Sequence, residues 1–150
     1  MNFENTKTLI RDGGIRTIVR AMKAHWSKAE VQQYASAALL VIGATDPSNH
    51  SVKSILKSGG VRALVGALHV HPEEASVQEN GCWALAQLTT MEGSFDTIGG
   101  SRGVEAVLKA MRKLRDIPSV QARGCATIAN MSRNPSYVLI LSLSIVVVKL

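Results

Sequence analysis

The 150-residue sequence has few aromatic residues, cysteines and prolines: aromatics make up 4% of the chain, with 2 Cys and 4 Pro. Two cysteines are too few for a disulfide framework, so we expect reduced thiols and an intracellular protein, cytoplasmic or nuclear. The first residues show no basic segment followed by an apolar run, which argues against a secretory signal peptide. The apolar content of 46% is instead typical of a globular domain.

Long hydrophobic runs and basic runs are also missing. The most apolar segment covers residues 138–148, only 11 residues, whereas a membrane-spanning helix needs about 20. We therefore expect no membrane partner unless this segment continues further. The net charge of +6 is dispersed, without a run of five basic residues, and aromatic stacking platforms are scarce. Nucleic acid is accordingly not expected as a ligand.

The sequence does contain an internal repeat. "GGIRTIVRAMKAH" from Gly13 returns as "GGVRALVGALHVH" from Gly59, 46 residues later, and as "RGVEAVLKAMRKL" from Arg102, a further 43 residues on. Their apolar residues have the i, i+3, i+4, i+7 spacing of an amphipathic helix. Three related segments at regular intervals predict a repeat protein, in which neighbouring units must stack to bury their apolar faces.

A second helical motif repeats with the same two shifts. "VQQYASAALLVI" starts at Val31, "VQENGCWALAQL" at Val77 and "VQARGCATIANM" at Val120. A shorter helical pattern precedes the glycines of the first motif. Each unit is therefore predicted to contain a short helix, a glycine turn in the left-handed conformation, a second helix, a loop and a longer third helix. Small residues in the third helices predict close contact with neighbouring helices, at Ala35, Gly81 and Gly124.

The unit boundaries fall at roughly residues 1–45, 46–89 and 90–134 of a single repeat-protein fragment, 1–150, in which residues 135–150 form a divergent apolar tail. A three-helix unit of this length, with Gly-Gly-(Ile/Val) before its second helix and "VQENGCWALAQL" as a third helix, resembles the armadillo repeat. The resemblance covers roughly residues 5–134. A two-helix HEAT repeat is disfavoured, because the glycine break separates the first helix from the second.

The armadillo resemblance implies an all-α fold, a right-handed α-solenoid of about three repeats whose third helices line a concave groove. It also implies a non-catalytic scaffold that binds an extended peptide or a partner protein there. The alternative is a structural spacer or assembly segment of a larger multidomain protein. A nuclear-import receptor is the least favoured function, since Trp and Asn do not recur as pairs from unit to unit. Open solenoid ends would also permit self-association.

The candidate binding surface is a column on the third helix of the middle unit. Glu79, Trp83 and Gln87 are spaced i, i+4, i+8, away from the apolar stripe. An exposed indole can hold a Lys or Arg of a bound segment by cation–π attraction, and an amide can hydrogen-bond its backbone. The alternative for Trp83 is packing against the second helix or the next unit. Over the three units the predicted partner-binding residues are Gln33, Glu79, Trp83, Gln87, Arg123 and Asn130.

No catalytic or metal-binding cluster can be assembled from the sequence. Cys82 and Cys125 share one repeat position, which indicates packing, because a catalytic thiol needs a neighbouring base. The repeat-equivalent His25 and His71 are predicted to hydrogen-bond helix ends from their loops rather than to bind metal. The glycine pairs lack the Gly-Lys-(Ser/Thr) of a phosphate-binding loop. We therefore expect no enzyme activity, no metal and no cofactor.

Overall fold

The computed structural model describes residues 3–91 and 93–133, and this part of the chain contains nine α-helices and no strand. The fold is therefore all-α, as predicted, with three helices in each predicted unit. The helices are α1 (Phe3–Arg11), α2 (Gly14–Ala24), α3 (Ala29–Thr45), α4 (His50–Lys57), α5 (Gly60–Val70), α6 (Ala75–Leu88), α7 (Ser94–Gly100), α8 (Gly103–Lys113) and α9 (Pro118–Met131). The predicted apolar tail, residues 135–150, lies outside the described residues.

One residue in the left-handed conformation joins the first helix of each unit to the second. Gly13 and Gly59 both have a φ of 79°, and Arg102 has a φ of 60° at the equivalent place. The residue that follows is a glycine in every unit because there is no space for a side chain. A Cβ on Gly60 would lie 3.0 Å from the carbonyl oxygen of Ile55. The predicted glycine turns are confirmed, and the third unit shows that arginine can occupy the left-handed position.

A glutamine attaches each third helix to the end of the second helix in the same unit. Nε2 of Gln78 donates to the carbonyl oxygens of Leu68 at 2.9 Å and His71 at 2.8 Å. Gln32 and Gln121 make the same pair of bonds at the ends of α2 and α8. The last carbonyl groups of a helix have no partner within the helix, so these side-chain amides satisfy them. The loop before the third helix is held in the same way in all three units.

Helices of successive units pack in layers. The third helices contact one another in the order α3, α6, α9, and the second helices in the order α2, α5, α8. The core lies between these two layers and includes the fully buried Leu39, Leu64 and Leu85. Because every unit uses the same two contacts, the third helices form a continuous row of three.

Close approach between second and third helices is confirmed at two of the predicted positions. A Cβ on Gly81 would lie 2.6 Å from Cδ2 of Leu68, and a Cβ on Gly124 would collide with the sulfur of Met111. Glycine is therefore needed at both positions so that an α5 or α8 side chain can lie directly against the backbone of α6 or α9. This packing fixes how far each third helix stands from the second helix of its unit.

Candidate interaction surface

The row of third helices is joined by side chains that donate hydrogen bonds to the preceding helix. Nδ2 of Asn130 donates to the carbonyl oxygen of Ala86 at 3.2 Å, and Oγ1 of Thr127 donates to that of Cys82 at 2.9 Å. These bonds connect α9 to α6 at two places one helical turn apart. They hold the two helices in a fixed register, so that residues on their exposed sides keep constant neighbours.

The contact between α3 and α6 is built on Gln33. Nδ2 of Asn80 donates to the backbone carbonyl of Gln33 at 3.2 Å, and Oγ of Ser76 donates to its side-chain Oε1 at 3.0 Å. The side chain of Gln33 is half-buried as a result. Of the predicted partner-binding residues, Gln33 and Asn130 are thus already engaged in helix–helix contacts.

Trp83 and Arg123 form the most prominent feature of this surface. The indole of Trp83 is 37% exposed, and the central guanidinium carbon of Arg123 lies 3.4 Å from its ring centroid. At this distance the cation is attracted by the negative face of the ring. One face of the indole is therefore covered by Arg123 of the same chain. The cation–π contact that we expected from a ligand is made internally, while the ring remains partly open to solvent.

The guanidinium of Arg123 has no acidic partner among the described residues. Its Nε is buried and has no hydrogen-bond partner, and Arg123 forms no ion pair within residues 3–91 and 93–133. A guanidinium stacked on an aromatic ring is pre-organised, because its plane is fixed before any ligand arrives. The pair therefore offers a positioned cation beside a partly exposed indole.

The repeat alignment places Arg123 one residue beyond the predicted column. A shift of 43 residues leads from Glu79 to Ala122, whereas Arg123 is equivalent to Asn80. Arg123 is therefore not the third-unit equivalent of Glu79, and the prediction that it continues the column is wrong by one residue. Asn80 and Arg123 have a shared role instead, since each contacts the preceding third helix.

The other column residues lie on either side of Trp83 along α6. Glu79 and Gln87 are half-buried, and neither side chain forms a hydrogen bond or ion pair within the described part of the chain. Sequence reasoning missed Tyr34 on α3, which is 64% exposed. Tyr34 occupies the repeat position of Asn80 and Arg123, so a comparison of that position across the units would have found it.

The two cysteines differ although they share a repeat position. Cys82 is buried, and burial raises the pKa of its thiol to about 12, which leaves the thiol protonated and unreactive. Cys125 on α9 is exposed. The packing explanation therefore fits Cys82 and is wrong for Cys125. On α6, the next third helix, α9, packs against one face, whereas no described helix covers the equivalent face of α9.

The loop histidine of the middle unit acts between units. Nε2 of His71 donates to the carbonyl oxygen of Trp26 at 2.8 Å, in the loop after α2. The predicted hydrogen-bonding role is confirmed for His71, although its acceptor belongs to the preceding unit and lies beyond the helix end. Within the described ranges, no group of three His, Cys, Asp or Glu side chains could hold a metal ion.

No protein-family model, curated protein sequence or solved structure matches this chain. The described helices include none that is long and apolar enough to cross a membrane. The structure itself therefore defines the class, an all-α protein whose described part consists of three successive three-helix units.

Proposed function

We propose that this chain is an armadillo-type right-handed α-solenoid that binds an extended peptide or a partner protein on the concave face formed by α3, α6 and α9. In this proposal the chain is a non-catalytic interaction scaffold. The repeat motifs, the three helices in each unit and the continuous row of third helices support it. The binding surface is centred on Trp83 and Arg123.

The observation that carries the proposal is the stacked pair itself. Tryptophan and arginine are enriched among the residues that supply most of the binding energy at protein interfaces. Here the two are in contact, the indole is partly exposed, and the guanidinium lacks an acidic partner in the described residues. A carboxylate or backbone carbonyl of a bound segment would pair with this cation, and its apolar atoms would cover the exposed part of the ring.

Neighbouring polar groups would set the direction of the bound segment. The Gln87 side chain lies one turn after Trp83 and forms no hydrogen bond within the described chain, so its amide can pair with a peptide backbone. Glu79 lies one turn before Trp83. With a carboxylate on one side and a cation on the other, the surface fits a ligand that carries both signs of charge.

A peptide selection tests this function. A random 12-residue display library is selected against the wild-type protein, and the dissociation constants of the enriched peptides are measured for wild type, Trp83→Ala and Arg123→Ala. We expect both variants to bind at least about tenfold more weakly, as is typical of truncated interface anchors. Lys53→Ala is the control, because Lys53 is exposed on α4 and lies outside the third-helix row.

If every enriched peptide binds Trp83→Ala and Arg123→Ala as tightly as the wild type, the third-helix surface is not the binding site. A structural spacer segment predicts that outcome. Circular dichroism of each variant verifies that the helices remain folded before its affinity is compared.

A further inference from the structure

A second surface, made by second helices, also has the features of a binding site. A groove with a volume of about 270 Å³ lies between α2 and α5. Its apolar lining comes from both helices and from the loop after α2: Met22, Trp26, Ala63, Ala67 and Val70. Trp26 is 61% exposed and Val70 41% exposed, so two large apolar side chains meet solvent at the same opening.

The groove is open because α5 has a glycine at one repeat position. Gly66 lines the groove, and a Cβ placed there would meet no atom within 4 Å. The equivalent residues of the other second helices are long: Arg20 in α2 and Lys109 in α8. The absent side chain at Gly66 therefore leaves space that a long side chain could occupy.

The next interface in the stack provides an internal comparison. The equivalent site between α5 and α8 has a volume of only about 10 Å³. Lys109 stands there in place of Gly66, and Lys113 in place of Val70. Lys113 also forms an ion pair with Glu73, at 2.5 Å between Nζ and Oε1. The opening between α2 and α5 is thus particular to that interface and is not a general feature of the repeat.

The charge around the groove has one sign. Lys23 and Arg62 line it and are exposed, and its described lining contains no carboxylate. Neither cation has an ion-pair partner within the described part of the chain. At the closed interface His69 and Glu105 replace Lys23 and Arg62, and the cations there are Lys109 and Lys113 of α8.

We propose that the groove between α2 and α5 is a docking site for an acidic peptide segment of a partner protein that inserts an apolar side chain. The apolar side chain lies against Trp26 and Val70, and flanking carboxylates pair with Lys23 and Arg62. The hydrogen bond from His71 to the Trp26 carbonyl fixes the loop that carries the indole, so the site is formed before the partner arrives. This site is separate from the third-helix surface and does not depend on the function proposed for it.

Three fluorescein-labelled hexapeptides test the chemistry by fluorescence anisotropy. Glu-Asp-Leu-Leu-Glu-Asp carries both features, Glu-Asp-Gly-Gly-Glu-Asp lacks the apolar anchor, and Lys-Arg-Leu-Leu-Arg-Lys has the opposite charge. We expect the first peptide to bind with a dissociation constant on the order of 100 µM, weakening as salt is raised, and the other two to bind at least about tenfold more weakly. Absence of binding by the first peptide at 1 mM overturns the proposal.

Variants of the chain locate the site. Gly66→Leu fills the groove without changing a charge and places a better helix former in α5, so it should abolish binding while the helices stay folded. Lys23→Glu and Arg62→Glu should each weaken binding about tenfold. Lys53→Glu is the matched control, since it reverses an exposed charge on α4 and should have no effect. Unchanged binding by Gly66→Leu would show that the peptide binds elsewhere.

Two further measurements distinguish the groove from the third-helix surface, and a partner peptide from a second copy of the chain. Binding of the acidic peptide should be unaffected by Trp83→Ala, so the groove and the third-helix surface can fail independently. Sedimentation of the wild type and of Gly66→Leu tests a second copy of the chain as the occupant. Both proteins should sediment alike, and a wild-type dimer that Gly66→Leu converts to a monomer would overturn docking of a partner peptide.

Discussion

Arg123 of α9 stacks on Trp83 of α6, with 3.4 Å between the guanidinium carbon and the centroid of the indole ring. The two residues belong to different units, 40 positions apart in the sequence. The contact therefore links neighbouring third helices on the surface proposed to bind a partner. The cation that stacks on Trp83 is therefore supplied by the protein itself, not by a ligand.

A double-mutant cycle should measure this link. Trp83→Ala, Arg123→Ala and the double variant are compared by urea unfolding, and we expect a coupling free energy of about 0.5–1 kcal/mol, as for partly exposed cation–π pairs. Arg123→Ala should also shift the emission of Trp83 in a Trp26→Phe background. The same cycle between Trp83 and the distant Arg16 serves as the control. A coupling near zero for Trp83 and Arg123 would mean that the stack contributes nothing in solution.

Gln78→Met should destabilise the protein by about 2–3 kcal/mol. The variant keeps a side chain of similar length but leaves the carbonyl groups of Leu68 and His71 without their donor. Gln121→Met should cost less, because Gln121 is only half-buried and water can reach its carbonyl partners. Urea unfolding of the two variants tests the difference. Equal losses would show that burial of the amide does not decide its contribution.

Two glycines of α5 should respond in opposite directions to alanine. Gly60→Ala places a Cβ 3.0 Å from the backbone oxygen of Ile55 and should destabilise the protein by about 1–3 kcal/mol. Gly66→Ala points into open space and should stabilise it by about 0.5–1 kcal/mol through helix propensity. Thermal unfolding reports both effects. A stabilising Gly60→Ala would contradict the tight turn before α5.

Asp46 should make stability depend on acidity. Burial of its carboxyl raises the pKa, but hydrogen bonds from Ser48 and Ser51 outweigh this effect and lower the pKa from 3.8 to about 2. Because the folded-state pKa lies below the unfolded one, the contribution is complete above about pH 4 and is lost as pH falls through about 2. One pKa unit corresponds to about 1.4 kcal/mol, so the contribution at neutral pH is roughly 2 kcal/mol.

Unfolding of wild type and Asp46→Asn as a function of pH tests this assignment. The stability difference between the two proteins should be largest near neutral pH and should shrink from about pH 4 down to about pH 2, because asparagine does not titrate. The hydrogen bond from the Ser51 backbone to Oδ2 of Asp46, at 2.7 Å, identifies the interaction that protonation weakens. A difference that is independent of pH would exclude Asp46 as its source.

Local pattern and repetition were sufficient to predict much of the fold. The glycine turn before α5 and the close approach at Gly81 follow from residue size at fixed positions in a repeated helical pattern. The glutamine contacts were also within reach, because Gln32, Gln78 and Gln121 follow a valine at the start of every third helix. A polar residue that recurs at one position of each unit indicates a repeated hydrogen bond.

The two proposed binding surfaces depend on contacts between units, which a repeat pattern does not specify. Arg123 reaches Trp83 because it stands one residue beyond the column, on the side of α9 that faces α6. The groove at Gly66 exists because α2 lies beside α5. In each case the deciding fact is which residues of two separate helices become neighbours, and that follows only from the packed structure.

The single-tryptophan variant Trp26→Phe gives the most direct test of the third-helix surface, since Trp83 is then the only one of the 2 tryptophans left. The variant is titrated with those selected peptides that bind Gly66→Leu as tightly as the wild type, and Trp83 emission is recorded with and without Arg123→Ala. We expect a saturable change in emission whose midpoint rises at least about tenfold when Arg123 is removed. Peptides that bind while Trp83 emission and the midpoint both stay unchanged would contradict this expectation.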